Sequence, residues 1–185
     1  MRTIRFQSFF YNLKGFSFCL AIVLLMSACH TQKKIVKEET GKKSETKKIQ
    51  GTYASLLNVD QKRISNIKLY SFIDEWYGIP YRYGEKSKKG IDCSNFVIVL
   101  YEYVYKKNIS GPAASLYKQC KNVSKYDLRE GDLVFFKIDS DNISHIGVYL
   151  QNNKFVHSST KKGVIINDLD EEYYKKFFYK GGKLQ

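Results

Sequence analysis

The 185-residue chain reads as an α+β protein with an antiparallel sheet. Three observations predict it. Helix-period apolar residues come first, from Ile64 to Tyr77. Short apolar, β-rich runs between turn signals come later, from Leu133 to Asn167. Segregated helices and strands of this kind favour α+β over alternating βαβ units. The section expected to fold, residues 53–185, is long enough for one core. A hydrophobic fraction of 43% excludes wholesale disorder, and two Pro with 12 Gly exclude collagen-like or Pro-rich architecture.

Each element has a local reason. Ile64, Ile67, Tyr70, Ile73 and Tyr77 recur at roughly helical spacing, widened by Leu69, Phe72 and Trp76. Gly78 and Pro80 stop that helix, and Tyr81 to Gly90 reads as loop. Cys93 to Lys107 is ambiguous. Phe96 to Tyr101 has strand composition, yet some 15 residues pass without a turn signal. Asp92 can cap a helix start, and Lys106 and Lys107 suit a helix end. Strand and buried helix both stay open. Pro112 to Lys121 predicts a short helix, and Leu133 to Phe136 a buried strand after the turn at Glu130-Gly131-Asp132. Ile143 to Leu150 and Lys154 to Ser159 are strands around Gln151-Asn152-Asn153, and Gly163 to Asn167 is another. Asp170 to Phe178 reads as a terminal helix, followed by an edge strand.

The N-terminus carries an address. Arg2, Arg5 and Lys14 precede an uncharged run from Gly15 to Cys29, too short for an ordinary membrane-spanning helix. A basic segment, a short apolar core and small residues make a secretory signal over residues 1–28. Leu25-Met26-Ser27-Ala28-Cys29 resembles a bacterial lipoprotein processing site, which implies fatty acylation (palmitate) of Cys29. The alternative is an uncleaved anchor, and both put the remaining chain outside the cytoplasm. Residues 29–52 then form the lipidated Cys and a flexible, lysine-rich tether. Residues 53–185 are then the section expected to fold as one domain. His30 after the Cys lacks an acidic retention signal, so the expected location is the outer membrane, facing the periplasm.

The net charge of +13 first suggests nucleic acid, a membrane surface or another anionic polymer. Its distribution weakens the first. Residues 1–28 carry +3, residues 30–52 carry +4, and residues 53–185 keep +6. An exported address, with no helix-turn-helix, zinc-finger or RNA-binding signature, argues against nucleic acid.

Chemistry-bearing residues are few. Setting aside Cys19 in the signal and Cys29 at the lipid site leaves Cys93 and Cys120. Setting aside His30 leaves His145 and His157. One Cys and two His invite a nucleophile–base reading. If Gln151-Asn152-Asn153 is a three-residue loop with Asn153 left-handed, Leu150 pairs with Lys154 and Gly147 lies opposite His157. His145 is then its diagonal neighbour on the same face. A loop one residue different would separate the histidines. A helix N-terminus and a nearby imidazolium would lower the Cys93 thiol pKa. Plainer alternatives are an inert buried Cys93, a Cys93–Cys120 disulfide, or zinc on Cys93, His145 and His157, though no zinc-finger spacing supports the last. Cys120 reads as a small core residue and Asp132 as a turn residue.

Gly78-Ile79-Pro80-Tyr81-Arg82-Tyr83-Gly84 followed by Gly90-Ile91-Asp92-Cys93-Ser94 resembles the N-terminal half of NlpC-type cell-wall peptidases. Leu128 to Phe136 resembles their central strand, and Ser144 to Leu150 with Phe155 to Ser159 their two histidine strands. The likeness covers about residues 60–180. It implies a papain-like α+β fold with the Cys helix packed on an antiparallel sheet, so Cys93 to Lys107 would be helix. It implies hydrolysis of amide bonds in peptidoglycan stem peptides, at D-γ-glutamyl–diamino acid or crosslink bonds, through a thioester. By the same resemblance Cys93 is the nucleophile, His145 the base and His157 the third member. Tyr81 matches a tyrosine near the oxyanion, while Asp92 and Ser94 line substrate subsites. Asn95 departs from the pattern, which often has Gly there. The implied partners are stem peptides and, through Cys29, a membrane. A monomer with no cofactor and no metal is expected.

Overall fold

The computed structural model describes residues 41–184. The expected lipidation site Cys29 and the expected signal segment lie outside these residues. Residues 41–57 form helix α1. The section expected to be flexible tether is therefore helical from residue 41 onward. Ile49, Tyr53 and Leu57, four residues apart, are buried in the core. A boundary drawn at residue 52 divides this apolar stripe, which is why its sequence reads as merely polar and basic.

Helix α2 (Ile67–Trp76) begins three residues after Ile64, because Asn66 caps it by accepting the Leu69 N–H at 3.1 Å. Gly78, at φ +77, follows its end. Lys86–Ser87 (β1) and Gly90–Ile91 (β2) make a two-strand ladder inside the expected loop. Cys93–Leu100 is helix α3, extended by one π turn through Tyr105. Composition favoured a strand here. Burial on one side, at Cys93, Phe96, Val97 and Leu100, decides for helix, with Asp92 as its N-cap. Helix α4 (Ala113–Lys118) stops short of the expected end, and Cys120–Val123 is strand β3.

The remaining strands are β4 (Leu133–Phe136), β5 (His145–Tyr149), β6 (Lys154–Ser159), β7 (Gly163–Asp168) and, after helix α5 (Glu172–Phe177), β8 (Phe178–Leu184). Their order is β3-β8-β4-β5-β6-β7, all pairs antiparallel. The C-terminal strand is thus interior, between β3 and β4, and not an edge. Its Gly181 and Gly182 pair with both neighbours.

Strand alternation divides the core. Leu133, Phe135, Ile146, Val148, Leu150 and Val156 face the cluster that includes α2 and α3. Val134, Phe136 and Phe155 face the other side, with Leu169 and Tyr174. At about 1.5–3 kcal/mol for each fully buried large apolar side chain, this two-sided burial is the main stabilising term. Among the described residues, no helix is long and apolar enough to cross a membrane.

Candidate active site

The β5–β6 hairpin has the register expected from a three-residue loop. Val148 pairs with Val156, and the Leu150 N–H donates to the Lys154 carbonyl at 2.8 Å. Asn152 and Asn153 are both left-handed, at φ 51 and 58. That register brings His145 and His157 to one face, Nε2 of the first 2.7 Å from Nδ1 of the second. Gly147 is required between the strands. A Cβ there would lie 2.7 Å from Phe155 Cδ2 and 3.2 Å from His157 Cβ.

Both histidines are buried. His157 stacks on Phe155 with ring centroids 4.9 Å apart, and Tyr174 meets it edge-on at 5.3 Å. Burial, followed for His145 by the neighbouring imidazole, holds the His145 pKa well below the ordinary value. Burial likewise lowers His157 to about 4, against the opposing hydrogen bond to Asn167 and the charge of Glu171. Both rings are therefore neutral near pH 7.

Proton positions follow from the outer end of this chain. The Glu171 carboxylate accepts from Asn167 Nδ2 at 3.0 and 2.9 Å. A carboxylate takes only donors, so the amide nitrogen faces it and the Asn167 oxygen faces inward. Asn167 Oδ1 lies 3.0 Å from His157 Nε2, which must carry the hydrogen. The neutral ring leaves Nδ1 bare, so His145 Nε2–H donates to it. His145 Nδ1 keeps a free lone pair. The Tyr174 hydroxyl, 3.2 Å from the same His157 nitrogen, then acts as a second acceptor.

Cys93 sits at the first position of α3. Asp92 Oδ1 accepts the Asn95 N–H at 2.8 Å, and its Oδ2 accepts the Gly84 N–H at 2.8 Å and Asn95 Nδ2 at 3.1 Å. Asp92 is thus a cap that also ties the preceding loop to the helix. Asn95 does not project freely at this departure from the family pattern. Its side chain also donates to the Glu85 carbonyl at 3.2 Å.

Hydrogen bonding at the Ser94 side chain and at the Ile146 and Ser94 backbone, Ile146 lying directly after His145, acts to lower the Cys93 thiol pKa. The hairpin and α3 therefore meet with the thiol beside the histidine strand. The expectation of a depressed thiol pKa is corrected. Burial, and secondarily the Asp92 charge, push the thiol up, outweighing the hydrogen bonds that lower it. The expected imidazolium is absent because His145 is buried beside another imidazole. The thiol and a neutral imidazole are the resting pair. Cys93 and Cys120 are both free, so the disulfide alternative fails. Among the described residues, no cluster of three or more His, Cys, Asp or Glu is arranged to hold a metal ion.

Two cavities flank the thiol and the histidines. One, of about 430 Å³, is lined by Tyr81, Asp92, Cys93, Ser94 and Asn95, among others. The second, of about 500 Å³, is lined by His145, His157, Asn167 and Glu171, among others. Tyr81 and Ser144 border both. The Tyr81 loop is anchored by backbone pairing. The Val164 N–H donates to the Ile79 carbonyl at 2.9 Å and the Ile91 N–H to the Pro80 carbonyl at 3.0 Å. Gly163, at φ +71, permits that approach, since a Cβ would lie 2.2 Å from the Ile79 oxygen. Burial raises the Tyr81 hydroxyl pKa, so it remains a donor.

Sequence reasoning missed Ser144, Asn167, Glu171 and Tyr174. Ile165 pairs with His157, so Asn167, two residues on, shares the His157 face. Once the β6–β7 register is known, alternation alone finds Asn167. Glu171 and Tyr174 lie three residues apart at the start of α5, a spacing that points both at the same strand face.

A cysteine at a helix N-terminus, set against two adjacent strands that share a hydrogen-bonded histidine pair, defines a papain-like domain. This chain belongs to the NlpC/P60 family, whose model matches residues 78–183. It is 35% identical over 169 residues to the murein DD-endopeptidase MepS/murein LD-carboxypeptidase of Escherichia coli K12, covering 90% of this chain and 89% of that protein. It is 37% identical over 113 residues to the probable endopeptidase NlpC of the same strain, covering 60% of this chain and 73% of that one. A crystal structure of an NlpC/P60 family protein from Bacillus cereus matches with a TM-score of 0.58 and 22% identity, over 65% of this chain and 40% of that one.

Proposed function

We propose that this protein is a cell-wall cysteine endopeptidase that hydrolyses amide bonds in peptidoglycan stem peptides. The observation that carries the reading is the hydrogen-bonded His145–His157 pair on strands packed against the helix that Cys93 opens. The relatives named endopeptidases support the reaction class. The DD-endopeptidase name of one favours a crosslink over the D-γ-glutamyl–diamino acid bond.

His145 Nδ1 takes the Cys93 proton, and the sulfur keeps the electron pair and attacks the scissile carbonyl carbon. Charge develops on the carbonyl oxygen, stabilised by the Cys93 backbone N–H at the start of α3 and by the Tyr81 hydroxyl. His145 returns the proton to the leaving nitrogen as the C–N bond breaks, leaving a thioester. Water, deprotonated by His145, then releases the acid and regenerates the thiol. His157 stabilises the imidazolium by accepting from His145 Nε2–H. Ser94 and Asp92 border the acyl-side cavity, where the Asp92 carboxylate suits a stem-peptide amine.

The same reading makes the protein a lipoprotein, cleaved after Ala28 and acylated on Cys29, monomeric, and anchored in the outer membrane facing the periplasm. The sequence pattern before Cys29 supports it. Fatty-acid label should enter the wild type and vanish in Cys29→Ala; an unlabelled wild type would refute the anchor. The enzymatic claim is tested by digesting muropeptides with wild type and Cys93→Ala and weighing the fragments. New masses from the wild type alone are expected, and equal profiles would refute it.

A further inference from the structure

We propose that Glu171 and Asn167 are positioning residues that set the proton pattern of the histidine pair, so that His145 presents a bare Nδ1 to the thiol. The inference rests on the reading of His145 as the base. It adds two side chains on a different strand and turn, neither of which touches the thiol.

The geometry carries it. In a neutral pair joined by one hydrogen bond, two proton arrangements are possible. In one, both rings hold the proton on Nε2 and His145 Nδ1 is a free acceptor. In the other, both hold it on Nδ1, and His145 offers an N–H where a lone pair is needed. The 2.7 Å His145–His157 contact is satisfied equally by both, so the pair cannot choose for itself. Asn167 chooses, because its oxygen accepts only from an N–H on His157 Nε2, 3.0 Å away. An amide reversed about its last bond would present NH₂ at that place and force the opposite arrangement. Nothing in an isolated Asn prevents that reversal. Glu171 does, since both of its oxygens receive Asn167 Nδ2 at 3.0 and 2.9 Å. The carboxylate is itself fixed by the Asp168 N–H, which donates to Oε1 at 2.8 Å.

The chain also acts during catalysis. When His145 gains the thiol proton, positive charge spreads toward His157. The aligned dipoles run outward to the negative charge of Glu171, which favours the charged form of His157. Successive hydrogen bonds of one polarity reinforce one another. The thiol proton moves only as far as His145, so Glu171 exchanges no proton in the reaction.

A purely structural reading of Glu171 is available, because it also caps the β7–α5 turn. A polarity swap separates the two. In Glu171→Gln, an NH₂ group faces the Asn167 amide and favours its reversal. In Glu171→Gln combined with Asn167→Asp, the Gln donates to the Asp and still accepts the Asp168 N–H. The Asp again accepts from His157 Nε2, and the proton pattern returns. Nitrogen-15 spectra of the histidine side chains report which ring nitrogen is protonated. They are recorded in a Cys93→Ala background, where they do not depend on activity. The parent should show Nε2–H on both His145 and His157, Glu171→Gln should show the Nδ1–H form, and the double variant should revert. In the Cys93-containing enzymes, kcat should fall about tenfold or more in Glu171→Gln with KM nearly unchanged, and recover in the double variant. An Nδ1–H parent, an unchanged spectrum in Glu171→Gln, or a loss of kcat that the double variant does not rescue would each overturn the proposal. If the spectra behave as expected while the wild type releases no muropeptide fragments, the relay stands and the endopeptidase reading falls.

Discussion

The Ser158 hydroxyl donates to the Ile91 carbonyl at 2.7 Å, with Ser158 wholly buried. Ser158 follows His157, and Ile91 precedes the capping Asp92 and Cys93. One hydrogen bond therefore fastens the histidine strand to the start of the cysteine helix, on the sheet face opposite the His157 side chain. It fixes how far the thiol can drift from the strands that carry the base. Ser158→Ala should leave the Ile91 oxygen without this partner and cost about 1–3 kcal/mol in chemical denaturation. Activity should fall more than the loss of folded protein explains, because catalysis is steeply sensitive to small displacements. Full specific activity in the folded variant would show that the clamp is structural only.

Gly147 leaves no room for a side chain between β5 and β6, beside Phe155 and His157. Gly147→Ala should destabilise by about 1–3 kcal/mol, the usual range for overpacking. The strain falls first on the Phe155 ring, which stacks on His157, and on the Val156 carbonyl, so the His145–His157 coupling should change in imidazole spectra even where the variant folds. A melting temperature equal to wild type would contradict the close approach.

Asp92 accepts three donors from the loop and helix around the thiol. Asp92→Ala should cost about 1–2 kcal/mol through the lost cap. It also removes the carboxylate expected to meet a substrate amine, so KM for stem peptides with a free amino terminus should rise. N-acetylated peptides should lose less. The comparison of the two substrates separates charge recognition from general damage.

Acid should destabilise the fold through the histidines. His157 falls from an ordinary 6.5 to about 4 in the folded state, and His145 shifts the same way. Below 6.5 the unfolded chain binds protons that the folded chain refuses, so stability is greatest above that pH and declines as pH falls toward 4. For His157 alone the full shift is worth on the order of 3 kcal/mol. Melting temperatures between pH 7 and pH 4 should fall for wild type and fall less for His157→Gln. Since burial and the neighbouring imidazole hold the His145 pKa well below the ordinary imidazole value, the acid limb of kcat/KM should lie below that value too. A limb at or above 6.5 would contradict the buried pair.

Several features are decided within a few residues of chain. The three-residue turn at Gln151-Asn152-Asn153 and the period-two alternation around it put His145 and His157 on one face, because both are local backbone properties. Asp92 as a helix cap and Gly78 as a stop are local in the same way. The sequence by itself thus determined the nucleophile candidate, its histidine strands and the α+β class. Tertiary structure alone decided the rest. Cys93 to Leu100 has strand composition and is helix because one side of it is buried in the core. The chain's last strand is interior because Cys120–Val123 pairs on its outer side, a contact between residues some 60 positions apart in sequence. Residues 41–52 are helical in a stripe continued by Tyr53 and Leu57. The thiol sits high because burial outweighs the local hydrogen bonds. Asn167 and Glu171 reach His157 only through the β6–β7 register and the turn into α5. Local patterns specify which residues carry the chemistry. Burial and long-range register, which no window of sequence contains, decide where their protons sit.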